Sequence, residues 1–165
     1  MVNQAHFSYP FLLWLLISII FGHLVTTQEA FMVLFAALAP DIDFLLEIYL
    51  TRKNPNKISN HHNFITHAPL FYMPFVIGIG IWNIKYGILV FYGLATHFLM
   101  DTLISPRGIK WLYPFKGKYY SLTDFTKGIE DTNKWLKAYK KLPIYKYDNI
   151  AFAITVVLVI ALYIF

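Results

Sequence analysis

The sequence predicts an all-α fold, an integral membrane helical bundle of about five transmembrane helices with a basic cytoplasmic loop. Three observations predict it. Apolar residues make up 58% of the chain and charged residues 14%, against about half and a quarter in a soluble domain. The excess lies in continuous blocks and is not spread along the chain. Those blocks do not alternate in polarity, as the strands of a membrane β-barrel would. The 165 residues suit a single membrane-embedded domain, 1–165.

The first block, Pro10 to Val25, contains no Asp, Glu, Lys or Arg. Neither Lys nor Arg precedes it and no cleavage site follows closely, so it reads as a retained helix and not a signal peptide. The second, Ala30 to Leu50, is apolar except for Asp41, Asp43 and Glu47. The third, Ala68 to Trp82, is charge-free but short. Spanning takes about 20 apolar residues, so this helix spans only by continuing through Asn83 to Lys85, and is otherwise re-entrant or partly buried. The fourth, Tyr86 to Ser105, carries only His97 and Asp101 as ionisable groups besides its tyrosines. The fifth, 149–165, has no charged side chain. The absence of cysteine excludes disulfide and thiolate chemistry.

Fourteen Lys and Arg residues give a net charge of +5. Arg52, Lys53 and Lys57 follow the second block, and ten more lie in the amphipathic stretch 106–148. Five spans place both segments on one side. The positive-inside rule makes that side cytoplasmic, together with the N-terminus, and puts the C-terminus outside. The long loop reads as a surface resting on anionic headgroups. Its Trp111, Tyr113, Tyr119 and Tyr120 read as interfacial anchors, and no nucleic-acid partner is expected. Residues 127–141 have the pattern of an amphipathic surface helix, with Ile129, Trp135, Leu136 and Tyr139 available to the interface.

Ionisable groups inside spans are costly and point to function. His97 and Asp101 are four apart and share a helical face. Asp41 and Asp43 are two apart, and Pro40 breaks the helix so that both can face one cavity. Asp41 is positioned to cap the segment that follows, and Thr66 to cap the third helix. His62 and His67 suit a loop or helix-entry turn. With five spans, His6, Asp41, Asp43, His62, His67, His97 and Asp101 fall at one face of the membrane. His23 falls at the other and reads as structural. Each residue alone has an ordinary structural explanation; their convergence favours metal. Imidazole with carboxylate suits Zn, with Mn or Fe as alternatives. The number of donors allows one or two ions, which would lower the pKa of bound water towards neutrality. Asp41, Asp43 and His67 are the catalytic candidates.

The runs Pro40-Asp41-Ile42-Asp43, His61 to His67, and His97 to Asp101 followed by Gly108 and Pro114-Phe115 resemble the membrane-bound metal-dependent hydrolase family. It is also described as the LexA-binding, inner-membrane-associated, YdjM-like hydrolase family. The resemblance covers residues 5–116. It implies that the seven His and Asp residues named above are metal ligands. Asn63, Phe64 and Ala68 stand where the family has Arg, Gly and Ser. The missing Arg removes a phosphate contact, and Arg107 and Lys110 are the basic residues placed to bind substrate instead. A likeness to zinc-dependent phospholipase C suggests a phosphoester or lipid-linked substrate. Two other classes remain open: a metal or proton transporter, and a non-catalytic membrane adaptor.

Overall fold

The computed structural model describes residues 3–43, 49, 62, 64–105, 108–122 and 137–164. Among the described residues there are five helices: α1 (Asn3–Ile20), α2 (Thr27–Leu38), α3 (Pro69–Trp82), α4 (Ile84–Ile104) and α5 (Pro143–Ile164). Short 3-10 turns at Ala39–Asp41 and Ile65–His67 flank the link between α2 and α3. Among the described residues there is no strand, only an isolated antiparallel bridge between Ile109 and Tyr120.

Local chemistry sets the boundaries. Thr26 accepts the Glu29 backbone N–H and Glu29 returns the bond to the Thr26 N–H, a reciprocal cap that starts α2. Pro40, which has no N–H to donate, ends it in a tighter turn. The third helix ends at Trp82 and does not take the continuation through Asn83 to Lys85 that a full span would need. Asn83 is extended; its N–H closes α3 on Ile79, and its side chain accepts from Tyr86 N–H at the start of α4. Thr66 does not cap α3 either. The cap position is Ala68, with no side-chain bond, and Pro69 opens the helix.

The bundle buries ionisable groups beside its apolar core and turns large apolar side chains outward. Phe35, Ile81 and Trp82 face outward at more than two-thirds exposure, while His6, Glu29, His97 and Asp101 are buried. That inversion marks a surface matched to lipid. Two of the five helices, α4 and α5, are long and apolar enough to cross a bilayer by length and composition. Helices α1 and α3 are apolar but shorter, α3 reaching about 21 Å at 1.5 Å per residue.

Helix α2 packs chiefly on α4, α3 flanks α4, and α1 bridges α2 and α5. The α2–α4 approach requires Gly93: a Cβ there would lie 2.7 Å from the Val33 carbonyl oxygen and 2.8 Å from Ala36 Cβ. Small residues permit such contact where hydrocarbon offers helices no hydrophobic drive to associate. The contact brings the C-terminal end of α2 beside His97.

Of the amphipathic stretch, 123–136 lies outside the described residues. Tyr139 does not dip into the interface. It is fully buried and its hydroxyl donates to Asp148 Oδ2. Burial and this bond to the Asp148 carboxylate both push the Tyr139 phenol up.

Candidate metal centre

Four elements converge at one end of the bundle. The first turns of α1 bring His6, the turn after α2 brings Asp41 and Asp43, the segment before α3 brings His62 and His67, and α4 brings His97 and Asp101. All of these side chains are buried. Of the substrate-contact candidates, Arg107 lies outside the described residues, and Lys110 holds its Nζ over the Tyr119 and Tyr113 rings, 4.6 and 5.5 Å from their centroids.

Asp101 is the hub. Its Oδ1 lies 3.1 Å from His6 Nε2. Its Oδ2 lies 3.0 Å from His67 Nε2, 3.4 Å from His97 Nε2 and 3.8 Å from His62 Nε2. The imidazoles form two stacked pairs, His6 on His97 with centroids 4.0 Å apart and His62 on His67 at 4.3 Å. Donor atoms group in the same way. Those of His6, Asp41 and His97 lie within 4.8 Å of one another, as do those of His62, His67 and Asp101.

The reverse side of each ring decides which nitrogen faces inward. His97 Nδ1 donates to the Ala37 carbonyl at 2.7 Å, and His62 Nδ1 to the Gly108 carbonyl at 3.0 Å. His67 Nδ1 is 3.2 Å from both the Pro40 carbonyl and Asp43 Oδ2. An Nδ1–H held this way fixes the tautomer and turns Nε2 towards the cluster, as in metal-binding histidines. Thr66 completes the arrangement, its hydroxyl donating to Asp43 Oδ2 at 3.0 Å. Asp43 therefore lies behind His67, outside both donor groups. Asp41 faces the cluster, with Oδ1 3.9 Å from His97 Nε2.

The donor set fits a divalent cation. Among the described residues, His97 Nε2, His6 Nδ1, Asp41 Oδ2 and Asp43 Oδ1 are buried without a hydrogen-bond partner. Such atoms are expensive to bury unless something binds them. His67 shows the same demand for positive charge. Burial opposes its ionisation, but hydrogen bonds to Asp101 and Asp43 outweigh that and raise its pKa to about 10.

Sequence reasoning found the seven side chains but missed their supports. The carbonyls of Ala37, Pro40 and Gly108 carry no side-chain signal. Gly108 does leave a trace: its φ is +71°, and a Cβ there would sit 1.8 Å from the Tyr120 carbonyl oxygen.

His23 stands apart, as expected. It joins Glu29 at the other end of the bundle, with Nε2 2.9 Å from Oε2. Sequence reasoning passed over Glu29, which is buried and also holds Lys85 Nζ at 2.6 Å. A polar residue in the first turn of an apolar helix, opposite a lone lysine one span away, is the signal that could have found it.

Comparison with known proteins supplies the family. The model of the YdjM inner membrane protein family matches residues 1–165. The chain belongs to that family, and it is a membrane protein. No curated protein and no solved structure matches it.

Proposed function

We propose that this member of the YdjM inner membrane protein family is a metal-dependent hydrolase acting on a phosphoester or lipid-linked substrate at the cytoplasmic membrane face. The observation that carries the reading is a pair of buried donor groups, His6, Asp41 and His97 beside His62, His67 and Asp101, with Asp101 also 3.1 Å from His6 and 3.4 Å from His97, and with Nδ1 of three imidazoles committed to acceptors behind them. In this reading His6, Asp41 and His97 would hold one divalent ion and His62 and His67 a second, with Asp101 beside both groups. Zn suits these donors best, with Mn and Fe(II) as alternatives. Divalent ions supply Lewis-acid chemistry to phosphoryl or acyl substrates. The protein's own part is to orient the imidazoles and keep bulk water out. All five helices lie in or at the membrane, with the Asp101 end facing the cytoplasm. A substrate with a lipid tail accounts for a site built at the end of a helix bundle.

The test is metal analysis of the protein purified in mild detergent, followed by assays on lipid and soluble phosphoesters. The expected result is one to two divalent ions per chain and turnover that Asp41→Ala removes. Turnover unchanged by Asp41→Ala, or a protein that takes up no divalent ion, would overturn the proposal.

A further inference from the structure

Residues 108–122, just after α4, form a compact loop. The Ile109 and Tyr120 backbones exchange two hydrogen bonds of 2.9 Å. Ile109 is fully buried against Ala36, Leu94 and Phe98. Trp111 Nε1 donates to Thr102 Oγ1 at 2.9 Å, and Ser121 Oγ to the Ser105 carbonyl at 2.8 Å. The base of the loop is thus bolted to the end of α4. Its tip turns outward: Phe115 is 85% exposed, and Lys116, Gly117 and Lys118 beside it are exposed too.

Two features identify what the tip meets. The first is charge. Between Asp101 and Asp124 the sequence has no Asp or Glu, but it has Arg107, Lys110, Lys116 and Lys118. The second is position. The loop begins where a helix long and apolar enough to cross the bilayer ends at Ile104, so its tip lies at the height of the headgroups. An outward Phe set among lysines there has the composition of an interfacial anchor on an anionic leaflet.

We infer that the 108–122 loop docks on the anionic lipid surface of the membrane, with Phe115 inserted at the headgroup–acyl boundary and Lys116 and Lys118 paired with headgroups. The Gly108 carbonyl that accepts from His62 Nδ1 belongs to the same loop, so docking holds one wall of the candidate centre in place. The inference needs the membrane assignment but no metal.

The chain has no cysteine, so Phe115→Cys gives a single attachment point for a nitroxide on full-length protein. The labelled protein is reconstituted in nanodiscs of phosphatidylcholine alone or with phosphatidylglycerol. Power saturation then compares collision with oxygen, which partitions into lipid, and with a water-soluble nickel chelate. The expected result is a strong oxygen preference in anionic discs and a shift towards nickel in neutral ones. Adding Lys116→Glu and Lys118→Glu moves the docking equilibrium in anionic discs by at least about 25-fold, at about fivefold per lysine. A label that favours nickel in both discs overturns the inference and leaves the tip to a soluble partner. A label buried equally in both discs and unmoved by the charge reversals overturns the anionic component.

Discussion

At one end of the bundle Glu29 collects Lys85 Nζ, His23 Nε2 and the Thr26 N–H around two carboxylate oxygens. At the other, Asp101 collects four imidazoles around its own two. Both carboxylates are buried and both partners include histidine. They differ in what remains unmet. No atom of Glu29, His23 or Lys85 is among the buried polar atoms lacking a partner, whereas four atoms around Asp101 are. A buried charge that is fully partnered closes a structure. One whose surroundings keep unused donor atoms is prepared for a ligand. Single unmet atoms also occur elsewhere, as at Ser18, Asp148 and Thr155, so the comparison teaches that neither intramembrane polarity nor one unmet atom marks a site; several unmet donors gathered with imidazoles and carboxylates do.

The largest expected effect comes from removing the hub. Asp101→Ala deletes the carboxylate shared by both donor groups, so affinity for both ions should fall by more than about 100-fold, beyond the usual effect of losing a supporting residue. Metal content of detergent-purified protein checks this. Retention of one full ion would show that Asp101 does not serve both groups.

Asp43→Asn comes next. Asp43 sits behind His67 and does not line the donor groups. Its loss should weaken metal binding by about 10–100-fold while leaving the number of ions unchanged. A metal titration separates the two quantities. Loss of a whole ion would make Asp43 a ligand, as the resemblance implied.

These two residues show how far the sequence was legible. Helix positions followed from apolar blocks, because a bilayer imposes length and composition directly. Asp41, Asp43, His97 and Asp101 followed from the cost of placing ionisable groups in spans, and His6, His62 and His67 from falling at the same membrane face. The division of labour between Asp41 and Asp43 did not follow, because it depends on which oxygen faces which ring. The third block ended at Trp82, as α3 does, but composition alone did not reveal that a single extended residue, Asn83, both ends one helix and starts the next. The Glu29 knot was missed because Glu29 and Lys85 are 56 residues apart in sequence and pair only when α2 and α4 pack.

A smaller effect is expected from pH. A cation entering the centre must displace the proton that Asp101 and Asp43 hold on His67, whose pKa is raised to about 10. Apparent metal affinity should therefore rise with pH, by about tenfold per unit for each proton displaced. His67→Gln should lower that slope by one proton. In chelator the sign reverses. The folded chain binds a proton that the unfolded chain releases above 6.5, so the His67 contribution to stability is complete below that pH and is lost as pH rises towards 10. Titrations with and without chelator should tilt in opposite directions; parallel slopes would show that His67 is not where proton and metal compete.

The smallest expected effect on the centre is none, and it tests the comparison from its other side. Glu29→Gln removes the charge that Lys85 and His23 share but keeps a side chain of the same shape. Lys85 is about half exposed, so its ammonium regains water and the cost should stay near the loss of ordinary hydrogen bonds, about 1–3 kcal/mol. Thermal unfolding in detergent should register that loss, with metal content and affinity unchanged. The two ends are joined through α2 and α4, and Gly93 packs those helices together between them. If the variant loosened metal binding as Asp43→Asn does, the knot would be acting through that packing. The two ends would then be one coupled device, with Glu29 holding the helices that aim Asp41 and His97 at each other.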